Sequence, residues 1–526
     1  MAIELKDIEK FDNEMTITRE DTLKLTLGLM FVIAVMLLVS LQQGSNATVL
    51  IIAAMVGAYM AMNIGANDVA NNVGPAVGSG AVTLMGAIII AAIFEAAGAL
   101  IAGGDVVSTI KKGIIDPSTI KDTDTFIWLM LAALFAAALW LNAATALGAP
   151  VSTTHSIVGG VMGAGIAAAG WAVVNWGTMG KIAASWVISP VLGGLIAAGF
   201  LYYIKQKIIY TDNILENAKK HVPVLIGIMA MAFATYLSLK GVKHIIKLSF
   251  PIALSIGAVF GVAAFVFMKN YLAKKALSLQ NDRDSLNDMF TIPLIFAAAL
   301  LSFAHGANDV ANAVGPLAAI NDAFSSGNIS SKVGIPLWVM AIGAFGIAVG
   351  LALYGPKLIK TVGSEITELD KVRAFSIAMA AAITVIVASQ LKLPVSSTHI
   401  AVGGVFGVGL LREWLNRRNF DDSHIDHLAK LKEEHEEIED FINRFNKAPL
   451  KEKEDMLKTV KDKKSDIVVE SNLSKAERKM IAQLFRQKLV KRSALSKIIA
   501  AWLITVPASA FLAALLFYTI KGYMAP

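Results

Sequence analysis

Apolar stretches near 20 residues long recur throughout this chain of 526, and they leave few folds open to it. The runs lie at about 25–41, 48–64, 81–103, 126–147, 182–204, 222–239, 248–267, 292–304, 335–354, 375–391 and 498–520. Most are long enough to cross the hydrocarbon layer of a membrane. Charged residues make up 17% of the chain, whereas a soluble protein carries roughly a quarter. Backbone groups in lipid must be satisfied within their own segment, so the expected fold class is an all-α polytopic membrane protein. The first run follows a polar tail, 1–24, with no small-residue cleavage site behind it, and reads as a retained helix. The absence of cysteine excludes disulfides, thiolate chemistry and cysteine-based metal centres. The net charge of +7 falls mainly in loops, where it orients helices in the bilayer; a nucleic-acid partner is not expected.

Two polar interruptions break the apolar pattern, and they are copies of one another. Gly65-Ala66-Asn67-Asp68-Val69-Ala70-Asn71-Asn72-Val73-Gly74-Pro75 returns as Gly306-Ala307-Asn308-Asp309-Val310-Ala311-Asn312-Ala313-Val314-Gly315-Pro316. A second pair follows: Pro150-Val151-Ser152-Thr153-Thr154-His155 returns as Pro394-Val395-Ser396-Ser397-Thr398-His399. The copies are separated by 241 residues (65 to 306) and 244 residues (150 to 394). A fainter echo joins Thr109-Ile110-Lys111 to Thr361-Val362-Gly363. Corresponding interrupted segments in two halves of a hydrophobic chain point to a transporter site at the repeat interface. The stretches 150–170 and 394–411, rich in Gly, Ser and Thr, read as helices that enter the membrane without crossing it cleanly.

The residue types suggest the chemistry. Proline suits the first turn of a helix, and Ser and Thr there stand beside unpaired N–H groups at the positive end of the helix dipole. Such a start is a seat for a tetrahedral oxyanion, so Ser152, Thr153, Thr154, Ser396, Ser397 and Thr398 are the expected anion ligands. A carboxylate near mid-membrane costs on the order of 2.5–3.5 kcal/mol, so Asp68 and Asp309 need partners. Two carboxylates and a polyanion repel unless cations or protons lie between them. Asn67, Asn71, Asn308 and Asn312 offer neutral oxygens of the kind Na⁺ accepts, and the neighbouring glycines are expected to let carbonyls turn inward at a helix break. Glu95, alone in an apolar helix, and His155 and His399, able to shuttle protons, are secondary candidates. His305 is matched by Ile64 and so belongs to one repeat only.

These duplicated signatures, with Phe94-Glu95-Ala96-Ala97-Gly98, resemble the inorganic phosphate transporter (Pit) family. The likeness covers about 48–204 and 292–411. It implies an α-helical inverted-repeat carrier for phosphate, driven by cation symport and assembled as a homodimer. It implies that Asp68 and Asp309 bind cation and phosphate, and that the six Ser and Thr residues line the phosphate site. The departures in the motifs are Ser397 for Thr153 and Ala313 for Asn72.

The expected organisation is a tail (1–24), a first half (25–267), a charged connection (268–291), a second repeat core (292–411), an extramembrane helical insertion (412–497) and a final transmembrane helix (498–526). The expected function is secondary active uptake of inorganic phosphate across the plasma (inner) membrane, with Na⁺ or H⁺ as coupling ion and no cofactor. Sulfate on the same fold, a metal–phosphate complex and an ion channel are the competing readings. An enzyme is not expected, since no nucleotide-binding loop or hydrolase metal spacing is present.

Overall fold

A computed structural model describes residues 19–44, 47–146, 151–241, 248–329, 334–365, 370–434 and 492–524. Sixteen helices organise the account: α1 (Arg19–Gln43), α2 (Thr48–Asn67), α3 (Val69–Gly78), α4 (Leu84–Ala102), α5 (Gly104–Lys112), α6 (Thr123–Ala146), α7 (Thr153–Ala169) and α8 (Trp176–Ile204). They continue as α9 (Ile214–Lys240), α10 (Phe250–Lys275), α11 (Arg283–Met289), α12 (Thr291–Ser326), α13 (Leu337–Glu365), α14 (Lys371–Gln390), α15 (Ser397–Glu434) and α16 (Arg492–Met524). Among the described residues, eleven spans are long and apolar enough to cross a membrane. The all-α polytopic class is therefore established.

Contacts divide the chain into two units, one of Met1–Val405 with Ser496–Pro526 and one of Phe406–Leu495. Within the second unit the described residues are the continuation of α15 to Glu434 and the start of α16. Ile425, Leu428 and Leu431, which recur at helical spacing in the expected insertion, fall in α15. The rest of the insertion, 435–491, lies outside the described residues.

The break expected at the Asn-Asp segments is smaller than the sequence implied. Asp68 alone interrupts α2 and α3, and its backbone stays helical (φ −86°, ψ −33°). The second copy runs through α12 without interruption. The glycines serve close packing and not a break. A Cβ on Gly306 would lie 2.1 Å from the Glu95 carbonyl oxygen, and one on Gly98 would lie 2.0 Å from that of Phe303. Gly65 and Gly350 repeat the arrangement, 1.9 Å from the Ile347 and 2.0 Å from the Met62 carbonyl oxygens. Thus α12 crosses α4 as α2 crosses α13, each pair joining one helix from each half.

The chain is broken where the hydroxyl motifs begin α7 and α15. In the first half α6 and α7 pack together, with Gly160 against Ala133; in the second, Gly404 meets Ile377 of α14 at the corresponding place. Each second arm is then clasped by a helix from the other half. Gly159 and Gly163 of α7 lie against Val506 and Ala510 of α16, while Gly403 of α15 lies against Pro190 of α8. On one flank α5 packs on α12, fixed by a buried ion pair between Lys111 and Asp322, and the Thr109 hydroxyl donates to the Lys392 carbonyl at 2.7 Å.

Replacing Gly306 by Val should force α12 from α4, at a cost of about 1–3 kcal/mol or more. Detergent-solubilised Gly306→Val is expected to melt well below the parent in a thermal size-exclusion assay. Gly180→Ala, where an added Cβ meets nothing within 4 Å, is expected to melt no lower.

Candidate functional site

Four segments meet at the centre of the first unit: the Asp68 junction, the middle of α12 and the starts of α7 and α15. Both helix starts are capped by their motif serine. Ser152 Oγ accepts the His155 N–H at 3.2 Å and Ser396 Oγ accepts that of His399 at 3.3 Å. Expected as anion ligands, these two serines use their hydroxyls here as helix caps. The other first N–H groups of each helix have no intrahelical acceptor.

The next two hydroxyls tie the halves together reciprocally. Within each half, the motif hydroxyl binds its own aspartate: Thr153 donates to Asp68 Oδ2 at 2.7 Å, and Ser397 to Asp309 Oδ2 at 3.4 Å. Across the halves, the later asparagine reaches the other helix start: Asn71 donates to Thr398 Oγ1 at 2.9 Å, and Asn312 to Thr154 Oγ1 at 3.1 Å. Asn312 also reaches Thr153 at 3.1 Å, and Thr398 reaches Asp68 Oδ1 at 3.3 Å. Thr154 donates to the Val395 carbonyl at 2.9 Å. The earlier asparagines hold the hairpins: Asn67 donates to Thr145 at 3.3 Å, and Asn308 to Ser389 at 2.9 Å. All these motif residues are buried except the half-buried Asn71.

One further chain joins the two halves and has no repeat-related copy. Asn72 donates to Glu95 Oε1 at 2.8 Å, Glu95 Oε2 lies 2.7 Å from His305 Nδ1, and His305 Nε2 lies 3.0 Å from Asp309 Oδ2. The matching positions, Ala313, Ile347 and Ile64, are apolar. Three buried carboxyl groups, those of Asp68, Glu95 and Asp309, thus gather with one imidazole among them.

The site fits a cation on a second count. One oxygen each of Asp309, Asn312 and Asn72 is buried with no hydrogen-bond partner (Oδ1 in every case). Ligand atoms of Asp68, His305 and Asp309 lie within 4.8 Å of one another. Buried acceptors facing inward, with helix N-termini opposite, can hold a cation and an oxyanion side by side.

Every primary candidate named from the sequence therefore converges here, and Glu95 joins through His305. His155 and His399 are brought to each other, with ring centroids 4.7 Å apart, and His155 packs edge-on against Trp186 at 3.8 Å. The sequence reading passed over His305 and Asn72. The i, i+4 spacing of His305 and Asp309 on one helix was the available signal.

A polytopic helical bundle with paired half-sites buried between its halves defines a membrane carrier. The chain belongs to the phosphate transporter family, whose model matches residues 64–513. It is 53% identical over 528 residues to a Helicobacter pylori protein described as "Putative phosphate permease", covering 98% of each chain. A Pyrococcus abyssi protein of the same description is 40% identical over 363 residues, covering 69% of this chain and 89% of its own. A solved structure described as "The sodium-dependent phosphate transporter" superposes with a TM-score of 0.73 at 32% identity, covering 91% of this chain and all of that one.

The contrast between the repeats predicts how the polar chain behaves. Glu95→Leu or His305→Leu alone leaves a buried partner uncompensated and should cost about 3–5 kcal/mol. The double variant restores the apolar contact found at Ile64 and Ile347. It is expected to melt above either single variant, as measured by thermal unfolding in detergent.

Proposed function

We propose that this protein imports inorganic phosphate across the plasma membrane by cation symport, with Na⁺ as the favoured coupling ion. The observation that carries the reading is the reciprocal bonding of two Asp-Asn segments to two hydroxyl-rich helix starts, beside buried oxygens that lack a donor. Phosphate would take the N–H groups and hydroxyls of Thr153, Thr154, Ser397 and Thr398, and Ser152 and Ser396 would hold those helix starts in shape. Cations would take the oxygens of Asp68, Asp309, Asn67, Asn71, Asn308 and Asn312. Bound cation offsets the aspartates and so makes room for an anion. Without it, the carboxylates repel phosphate, and that dependence is the coupling. The name of the structural neighbour supports Na⁺.

Counting spans supports inverted repeats. If α6 and α7 enter and leave by one face, four spans (α4, α8, α9 and α10) intervene between α2 and α12. An even number of intervening spans makes α12 run opposite to α2. The reciprocal clasp of α7 by α16 and of α15 by α8 supports counting α16 within the second repeat. Substrate access would then alternate by movement of one set of elements against the other. Assembly as a homodimer, which the family resemblance implies, completes the proposal.

In proteoliposomes the parent protein is expected to take up labelled phosphate when a Na⁺ gradient is imposed alone. Asp68→Asn and Asp309→Asn should abolish this uptake while the proteins remain folded in detergent. Uptake driven only by a proton gradient would replace Na⁺ by H⁺, and wild-type uptake in both variants would sink the assignment. Excess sulfate is expected not to compete where a carboxylate oxygen left free of cation accepts a proton from phosphate, which sulfate cannot donate; displacement of labelled phosphate by sulfate would widen the substrate to tetrahedral oxyanions.

A further inference from the structure

The two halves differ in how the flank of the site is built. On α2, Tyr59, Asn63 and Asn67 stand one turn apart on one face, and α6 presents Asn142 and Thr145 to them. Asn142 Nδ2 donates to the Tyr59 hydroxyl and lies 3.4 Å from Asn63 Oδ1. Asn63 donates to the Tyr59 carbonyl at 2.9 Å, and Asn67 to Thr145 at 3.3 Å. The seam begins at exposed Asn142, passes the half-buried Tyr59, Asn63 and Thr145, and ends at buried Asn67 beside Asp68.

The same seam in the second half is shut. The residues matching Tyr59, Asn63 and Asn142 are Leu300, Ala304 and Ile386. Leu300 is 5% exposed and Ala304 1%, and Ile386 packs on a cluster of Ala102, Tyr236, Phe303 and Ala307. Only the innermost bond persists, with Asn308 and Ser389 in place of Asn67 and Thr145. An exposed carboxamide late in the apolar α6, against lipid tails, would leave hydrogen-bonding groups unsatisfied. Water would satisfy them.

We propose that the α2–α6 seam is a water-filled antechamber through which the coupling cation reaches Asp68. This rests on the cation-coupled reading above. The Tyr59 and Thr145 hydroxyls and the Asn63 and Asn142 carboxamide oxygens replace water in the ion's shell as it passes. Neutral oxygens suit a hard monovalent ion in transit, since a pathway must hold its ion weakly enough to release it. The sealed seam around Ile386 denies the same ion a second path in this conformation.

The chain has no cysteine, so single-cysteine variants of the full-length protein report access directly. In liposomes, Asn142→Cys is expected to react with a membrane-impermeant cationic methanethiosulfonate, more slowly with Na⁺ present than with choline. Ile386→Cys is expected not to react. Modification of Asn142→Cys only by a lipid-soluble maleimide, or oxidative cross-linking of two copies through it, would overturn the antechamber. Because labelling is read without transport, it stands apart from failure of the symport reading, which would appear as phosphate uptake by the parent protein without cation dependence. A second variant, Asn63→Ala with Asn142→Ile, gives the first seam two of the three matching residues of the second. It should raise the Na⁺ concentration for half-maximal uptake about tenfold, the scale of one lost polar interaction, with the phosphate KM at saturating Na⁺ unchanged. An unaltered Na⁺ dependence would also overturn the proposal.

Discussion

Burying two carboxylates at the centre of a helical membrane protein is the constraint on which the other features depend. Asp68 and Asp309 are 2% and 1% exposed, and an ion so placed costs several kcal/mol unless it is compensated. The protein compensates in part. Hydroxyls from α7 and α15 donate to both aspartates, and the His305 imidazole stands between Asp309 and Glu95. The carboxyl groups lie beside helix N-termini that favour an anion, and under the proposed function cations or protons between them would let both demands be met. The close helix crossings at Gly65, Gly98, Gly306 and Gly350 hold the groups near one another.

The reciprocity of the bonding gives this constraint its architecture. Each aspartate accepts from a hydroxyl of its own half, Asp68 also from Thr398 of the other, and each later asparagine holds a hydroxyl of the other half. Under the proposed mechanism, a movement of one half against the other would loosen Asn71–Thr398 and Asn312–Thr154 together.

Much of this was legible in the sequence because duplication repeats the residues that cannot be exchanged. The aspartates, the asparagines and the Ser and Thr motifs were found twice, and all of them meet. Membrane-spanning runs declare themselves by length, so the fold class was legible too. The rest was hidden for particular reasons. His305, Asn72, Tyr59, Asn63 and Asn142 occur in one half only, so a search for repeats passes over them, and their partners are distant in the chain. Glu95 to His305 alone spans 210 positions. The Asn-Asp segments were expected to break their helices because glycine permits it. Instead the glycines admit a neighbouring backbone, a use that depends on a helix from the other half. The place of α16 opposite α8 was concealed by the long insertion that precedes it.

The buried pair of Lys111 and Asp322 carries a consequence of another kind. Its counterparts in the other repeat are Gly363 and Ala81, so the bond exists on one flank and has no twin. Under the proposed mechanism, a carrier made of two identical inverted halves would rest equally in either of two states related by a two-fold axis, as a coin has no preferred face. Every residue at which the halves have diverged would load that coin. Lys111 with Asp322 and Glu95 with His305 would be such weights, and the difference in free energy they impose would set where the empty protein waits. The divergence between the two copies would then record which side of the membrane the molecule faces at rest.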